Sequence, residues 1–375
     1  MVTLKLAESN TFPATDNLFQ TAFWGKIKTA AGQRAMFFWA EWKETETSAA
    51  KTFPLMALLR KAEGFGTYAY VPRMQTDFIA EGLRGIFLEQ TAASLSSFCG
   101  TDCFMIRFDA AWKLTADAAA ESSRTELREL KMNFGTQKHA LRKSATEHLC
   151  PDTVIINLAL SPEKLLSRMR QTTRNGIRRA YKAGVEFNIY SAQSSSTNTA
   201  LEKWHAIYVQ TAQRKHFVYE QLPYFVRLFD GTGKSSAADK TDSTGIPIAA
   251  SVPDPKFYLF TAEKDGEILS GLILAVCGRR AYYMYAASSL EGRECMPNFG
   301  LQWEVMRFSR SMGCTEYDLM GIPPNGNSEH PMAGLYIFKT GFGGNKVKFG
   351  GAWDYPLNEE KYSPFRRAES IATFT

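Results

Sequence analysis

The segment from Val154 to Gly184 constrains the fold most tightly. Val154–Leu160 (VIINLAL) is of strand length and apolar except at Asn157, which reads as a buried strand. Ser161-Pro162 follows. The serine hydroxyl can accept from the first helical N–H groups, and proline's missing donor costs nothing at the first helical position. Leu166, Met169, Thr173, Ile177 and Ala180 then recur at spacings of three and four. That is one core-facing stripe, and Gly184 ends it, so the spacing predicts a single helix over 162–183. A buried strand that runs straight into an amphipathic helix requires a layered α/β domain, a sheet covered by helices.

The same helix carries a second stripe. Arg170, Arg174, Arg178 and Lys182 recur every four residues, flanked by Arg168 and Arg179. Like charges on one helix face repel, so the row does not serve helix stability. It fits an anionic partner such as a phosphate chain, with a plain solvated face as the alternative.

At 375 residues the chain is too long for one ordinary core. It divides into a first domain over 1–150, completed by 349–375, and a second over 151–348 with a polar, flexible insertion at 230–255. The apolar fraction of 45% and charged fraction of 22% are those of a folded protein and exclude wholesale disorder. No apolar run reaches the ~18 residues that span a bilayer, and MVTLKLAESN has no signal-peptide pattern. The cysteines are scattered apart from Cys99 and Cys103, so a cytoplasmic location is expected.

Elsewhere, Phe37–Trp42, Thr67–Pro72 and Phe104–Phe108 read as strands, the last ending at Asp109. Residues 86–98 read as a helix, and 115–148 as a polar excursion with some helix. A helix over 200–214 precedes a hairpin of 267–276 and 280–287, which turns at Gly278-Arg279. Helix 300–312 and strand 316–320 follow, and Leu335–Phe338 looks strand-like. Residues 86–109 and 300–318 share an order of helix, Gly or Cys, strand, Asp, as two related domains would.

Several stretches resemble one family. Thr172–Val185 (TTRNGIRRAYKAGV) resembles the basic helix of the Fem aminoacyltransferases. Tyr317–Pro323 (YDLMGIP) resembles their strand-then-GIP element, and Leu335–Gly344 (LYIFKTGFGG) their Phe-Lys-x-x-Phe-Gly-Gly element. Phe19–Lys26 resembles their N-terminal entry, so the likeness runs over about 19–355. The GIP and Phe-Lys elements lie about 16 residues apart, and this pairing is the most specific part of the match.

The resemblance implies an α/β fold of two domains like those of GNAT acyltransferases, each a mixed, mostly antiparallel sheet flanked by helices. Some members of the family carry a long helical hairpin in the second domain; this chain has no heptad pattern of that kind, so it looks like the compact type. The resemblance also implies transfer of an amino acid from aminoacyl-tRNA to an amine of the stem peptide of a peptidoglycan precursor. The acceptor would be UDP-muramyl-pentapeptide or a lipid-linked muramyl peptide, the latter bringing the protein to the membrane surface. No cofactor, metal or DNA is implied. Lys339, in its Phe338-Lys339 element, would place positive charge near the ester, where a tetrahedral oxyanion forms. After a strand-like run and before a Gly-rich turn, it is expected exposed at a cleft edge. Asp109 matches an acidic residue at a strand end and is the third catalytic candidate. Lys26 and Arg214 match positions that contact the acceptor diphosphate, with Tyr219 nearby. Tyr283 and Tyr285, two apart and so on one strand face, match a substrate-side tyrosine or serve as core aromatics. Arg170, Arg174, Arg178 and Lys182 would meet tRNA phosphates.

Other chemistries find less support. Gly233-Lys234-Ser235 has Leu228 where a P-loop needs its first glycine. Lys61–Gly66 resembles a CoA pyrophosphate loop but precedes a strand, so it reads as a hairpin turn. The five histidines do not pair at metal-ligand spacing, and no GxSxG elbow exists. An acyl-CoA-dependent N-acyltransferase and a non-catalytic RNA-binding module remain the competing classes.

Overall fold

The computed structural model describes residues 1–115, 124–231, 253–323 and 332–372. Its strands are β1 (Val2–Leu6), β2 (Arg34–Trp42), β3 (Lys51–Ala62), β4 (Gly66–Met74), β5 (Cys103–Lys113), β6 (Arg142–Lys143), β7 (Asp152–Asn157), β8 (Glu186–Ser191), β9 (Lys256–Lys264), β10 (Glu267–Cys277), β11 (Arg280–Ser288), β12 (Glu316–Asp318) and β13 (Asn345–Pro356). Its helices are α1 (Ala22–Ala30), α2 (Arg84–Cys99), α3 (Thr125–Met132), α4 (Pro162–Arg168), α5 (Gln171–Lys182), α6 (Thr197–Lys215), α7 (Leu222–Asp230), α8 (Pro297–Ser311), α9 (Ala333–Thr340) and α10 (Glu359–Ala372). The chain forms two compact units: Met1–Pro13 with Phe19–Pro151 and Val347–Thr375, and Ala14–Leu18 with Asp152–Lys346. Most of the insertion, 232–252, and with it Gly233-Lys234-Ser235, lies outside the described residues.

In the first unit the strand order is β1-β2-β3-β4-β5-β13, with β6 also on β13. Helix α2 turns Phe87, Leu88, Ala92, Leu95 and Cys99 into the sheet, where they meet Phe38, Val71, Ile106 and Phe108. This helical stripe against a pleated face removes the apolar area from water. The Lys61–Gly66 stretch ends β3, turns over residues 63–65 and starts β4. A buried ion network ties β5 to β13 and α10: Arg107 donates from Nε to Asp354 Oδ1 at 2.7 Å and from Nη2 to Glu369 Oε2 at 2.7 Å. Multiple charge-assisted bonds offset the cost of burying that guanidinium.

In the second unit the order is β7-β12-β11-β10-β9-β8. Helices α5 and α8 pack together, and their approach depends on two glycines. A Cβ on Gly176 would lie 2.7 Å from the Phe299 ring, and one on Gly300 would lie 2.4 Å from Phe187 and 2.8 Å from Ala180. The two units repeat one device. In each, a parallel strand pair, β4 with β5 or β11 with β12, is joined through a helix, α2 or α8. This is the physical basis of the echo between 86–109 and 300–318.

Four expectations change. The helix over 162–183 is two helices. Ser161 caps α4, but Met169 and Arg170 are extended (ψ 151° and 150°), and α5 starts afresh. The Arg170 N–H donates to Gly341 O at 2.8 Å, a tertiary bond that an unbroken helix could not make. Leu335–Phe338 lies in helix α9, not a strand; a short apolar run does not reveal its period. Asp109 lies inside β5, which runs on to Lys113, and not at a strand end. Tyr283 and Tyr285 face opposite sides of their sheet. Tyr285 pairs with Ile273 and Tyr283 with Leu274, so Met284 is the extra residue of a bulge that resets the alternation.

Candidate functional site

The GIP turn and the Phe-Lys helix form one assembly in the second unit. After β12 the chain turns at Met320, whose φ of 55° is left-handed, an uncommon state for a methionine. Asp318 stabilises it by accepting from Met320 N at 2.8 Å, and it also accepts from the Thr153 hydroxyl. Leu319 N donates to Val154 O at 2.9 Å and Ile322 N to Asp152 O at 2.9 Å. The turn is thus held along β7.

Lys339 closes it from the other side. It lies in the last turn of α9, 5% exposed, and its Nζ donates to Met320 O at 3.1 Å and Gly321 O at 2.8 Å. The same ammonium sits 5.2 Å from the centre of the Tyr283 ring. Two carbonyls and an aromatic face supply what burial of a cation demands. Lys339 is therefore a buried clamp, not an exposed side chain at a cleft edge. The reason is its helical context: in α9 it points back along the helix onto the GIP turn.

Around the clamp, burial pushes the Tyr283 phenol up to about 12, so it stays neutral. Tyr317 Oη donates to Gln302 Oε1 at 2.8 Å beneath it. Phe338 packs edge-on against Phe299 and Phe342, both with centroids 5.1 Å away. The Gly-Gly pair has a packing explanation. A Cβ on Gly343 (φ 76°) would lie 2.4 Å from Arg168 O, and one on Gly344 would lie 2.6 Å from Val154 Cγ1. Asp318, Gln302 and the GIP carbonyls were not singled out individually from the sequence; only the tyrosine-aspartate pair of the motif hinted at them.

The basic row separates into different duties. Arg170 is the residue before α5, with Nη2 donating to Thr340 Oγ1 at 3.1 Å, beside Lys339. Arg174 bends back to cap α4, its Nη1 donating to Leu166 O at 3.3 Å and to Met169 O. Arg178 donates to Asn175 Oδ1 at 3.3 Å and is exposed, as are Arg179 and Lys182.

The remaining candidates lie elsewhere. Arg214 is half-buried at the end of α6, donating from Nη2 to Ser288 O at 3.0 Å. Tyr219 is half-buried with its ring 6.5 Å from that of Tyr208. Tyr285 hydrogen-bonds the Tyr224 hydroxyl at 2.9 Å and packs on Phe225, among core aromatics. Lys26 is exposed on α1 and belongs to the first unit, whereas Arg214 belongs to the second. Asp109 is also in the first unit, 1% exposed. It accepts from the Tyr70 hydroxyl at 3.1 Å and pairs with Arg73 at 3.5 Å. Burial pushes its carboxyl up to about 6, against the lowering pull of Arg73.

The FemAB family model matches residues 7–237 and 258–370. The chain belongs to the FemAB family. Lipid II:glycine glycyltransferase of Staphylococcus haemolyticus (strain JCSC1435) is 23% identical over 255 residues, 56% of this chain and 59% of that relative. The protein of the same name from Staphylococcus epidermidis (strain RP62A) is 39% identical over 103 residues, 27% of this chain and 24% of that relative. The chain thus spans from about a quarter to three-fifths of the length of these curated relatives. Among solved structures, FemX superposes with a TM-score of 0.70 at 16% identity, covering 97% of this chain and 99% of the other. The C-terminal domain of a putative lysylphosphatidylglycerol synthetase from Agrobacterium fabrum gives 0.51 at 13% identity, covering 96% and 92%. The FemAB fold therefore extends over nearly the whole chain, and the expected mixed α/β class holds.

Proposed function

We propose that this FemAB-family protein is an aminoacyltransferase that moves an amino acid from aminoacyl-tRNA to an amine on the stem peptide of a lipid-linked muramyl peptide. The observation that carries the reading is the assembled Lys339–GIP clamp within a chain that matches the family over most of its length. The relatives' name, lipid II:glycine glycyltransferase, favours a lipid-linked acceptor over a nucleotide-linked one and a small amino acid as cargo.

The chemistry is aminolysis of an ester. The acceptor nitrogen attacks the ester carbonyl carbon, and a C–N bond forms as the carbonyl oxygen takes the negative charge. The bond to the terminal ribose oxygen then breaks. The proton lost by the amine passes to that departing oxygen, leaving an amide and a free ribose hydroxyl. Lys339 supplies fixed positive charge beside the oxyanion or the neighbouring phosphate, with its geometry set in advance by the two carbonyls and Tyr283. Phe338 anchors α9 against Phe299. Arg170, Arg178 and Lys182 meet tRNA phosphates, and Lys26, Arg214 and Tyr219 the acceptor head. Asp109 holds Tyr70 and Arg73 rather than abstracting a proton, since the substrates carry their own proton exchange. The work is done at the cytoplasmic face, where charged tRNA is available.

The test is transfer of labelled amino acid from charged tRNA to purified lipid-linked muramyl pentapeptide, with the UDP-linked pentapeptide in parallel. Label in the lipid product supports the reading. Label moving only to the UDP-linked peptide would change the acceptor, and transfer from an acyl-CoA but not from tRNA would overturn the donor.

A further inference from the structure

Helix α3 and the turn after it present large apolar side chains to water from a rigid base. Leu130 is 72% exposed and Phe134 80% exposed, four residues apart. Looseness does not explain this. Asn133, between them, donates from Nδ2 to Leu141 O at 2.8 Å and accepts from Leu141 N at 3.0 Å. The Glu89 carboxylate receives Gln137 N at 2.6 Å and Lys138 N at 2.8 Å. Met132 packs on the core of the first unit, and α2 approaches so closely that a Cβ on Gly85 would lie 1.7 Å from Met132 O. The segment is built from below and carries its apolar residues above.

Among the described residues of this segment the exposed charges are mostly positive. Arg124, Lys131 and Lys138 are exposed, with Glu126 as the exposed acid of the same helix. Glu129 is directed inward, accepting from Lys143 N at 2.8 Å and from Arg366 at 3.3 Å. Exposed apolar tips on a segment that also exposes lysine and arginine match the boundary of an anionic bilayer: the tips enter the acyl region and the cations meet headgroup phosphates. Among the described residues no helix is long and apolar enough to cross a membrane, so such contact would be peripheral.

We infer that Leu130 and Phe134, with Arg124, Lys131 and Lys138, form a docking surface for an anionic lipid bilayer. The proposal depends on the lipid-linked acceptor only for its biological use. Docking would hold the enzyme where a lipid-anchored acceptor is confined to two dimensions, and would be dispensable for a soluble one.

Sedimentation with phosphatidylcholine vesicles, with and without phosphatidylglycerol, tests this. The wild-type chain should bind the anionic vesicles, bind the neutral ones far less, and release with salt. The Leu130→Ser/Phe134→Ser double variant should lose roughly tenfold or more in binding, by analogy with shallow interfacial anchors, with an unchanged thermal midpoint since both side chains are exposed. Wild-type protein that ignores anionic vesicles, or a variant that binds like wild type, overturns the proposal. So does a wild-type dimer that the substitutions dissolve, because a second copy would then be the occupant. Vesicle binding is read without turnover, so failure of the transferase reading would appear separately.

Discussion

The Lys339 ammonium lies 2.8 Å from the carbonyl oxygen of Gly321, joining the end of one helix to the turn that follows β12. Two motif elements that are separate in sequence are thereby one structural object. A buried cation with fixed acceptors is preorganised, which is the property an electrostatic catalyst requires.

Lys339→Met should therefore do two things. Transfer should fall by about 10²–10³ through loss of positive charge near the reacting ester. The thermal midpoint should also fall, because the carbonyls of Met320 and Gly321 lose their donor at a cost of roughly 1–3 kcal/mol each. Lys339→Arg should recover little, since a planar fork does not replace a compact ammonium in this space. Measuring kcat and KM for charged tRNA alongside the melting curve separates the effects. A variant that melts early yet turns over normally would confine Lys339 to a structural role.

Arg178 and Lys182 should account for more of the tRNA salt dependence than Arg174. Replacing the first two by Ala should flatten the slope of log K against log salt by roughly 1 for each phosphate that is no longer neutralised. Arg174→Ala should instead lower stability, because it leaves the carbonyls of Leu166 and Met169 without that donor. Filter binding across a salt series, with a melt of each variant, gives both quantities. Equal slopes for all variants would point the row at something other than RNA.

Lys26→Ala and Arg214→Ala should each raise KM for the muramyl substrate with little change in KM for charged tRNA. A charge-assisted bond to phosphate contributes about 1.5–3 kcal/mol, or roughly 10- to 150-fold. Steady-state kinetics with each substrate varied in turn checks the assignment, and parallel increases in both constants would remove it.

Asp109 should make stability depend on pH in a defined window. Its carboxyl is raised from 3.8 to about 6 in the fold. The folded state therefore binds this proton more tightly than the unfolded chain, and the group's contribution is fully present at low pH. It is lost as pH rises from about 4 through about 6, on the order of 3 kcal/mol in all. Asp109→Asn should remove this component, and denaturant titrations of both proteins between pH 4 and 7 would reveal it. Parallel pH curves for the two would show that Asp109 does not titrate there.

Local chemistry in the sequence determined a good deal. The alternation of Thr67–Pro72 after Gly66, the apolar stretch of Val154–Leu160, the Ser-Pro cap at 161–162 and the hairpin turn at Gly278-Arg279 are short-range signals, and strand, helix start and turn form there, though the second strand stops at Asn157. The motifs around Arg174, Asp318 and Lys339 pointed to the FemAB family, because motif residues and their spacing survive in linear order. Tertiary structure alone decided the rest. Met169 and Arg170 leave the helix because Gly341, far along the chain, offers a carbonyl to Arg170. The Leu335–Phe338 run is helical although four apolar residues carry no readable period, and Phe338 packs from it against Phe299 and Phe342. Tyr283 and Tyr285 part company because a bulge is a property of two paired strands, not of one. Lys339 is buried because the turn at Met320 brings two carbonyls to it, and hydrogen bonds between distant segments are invisible to any reading confined to neighbours.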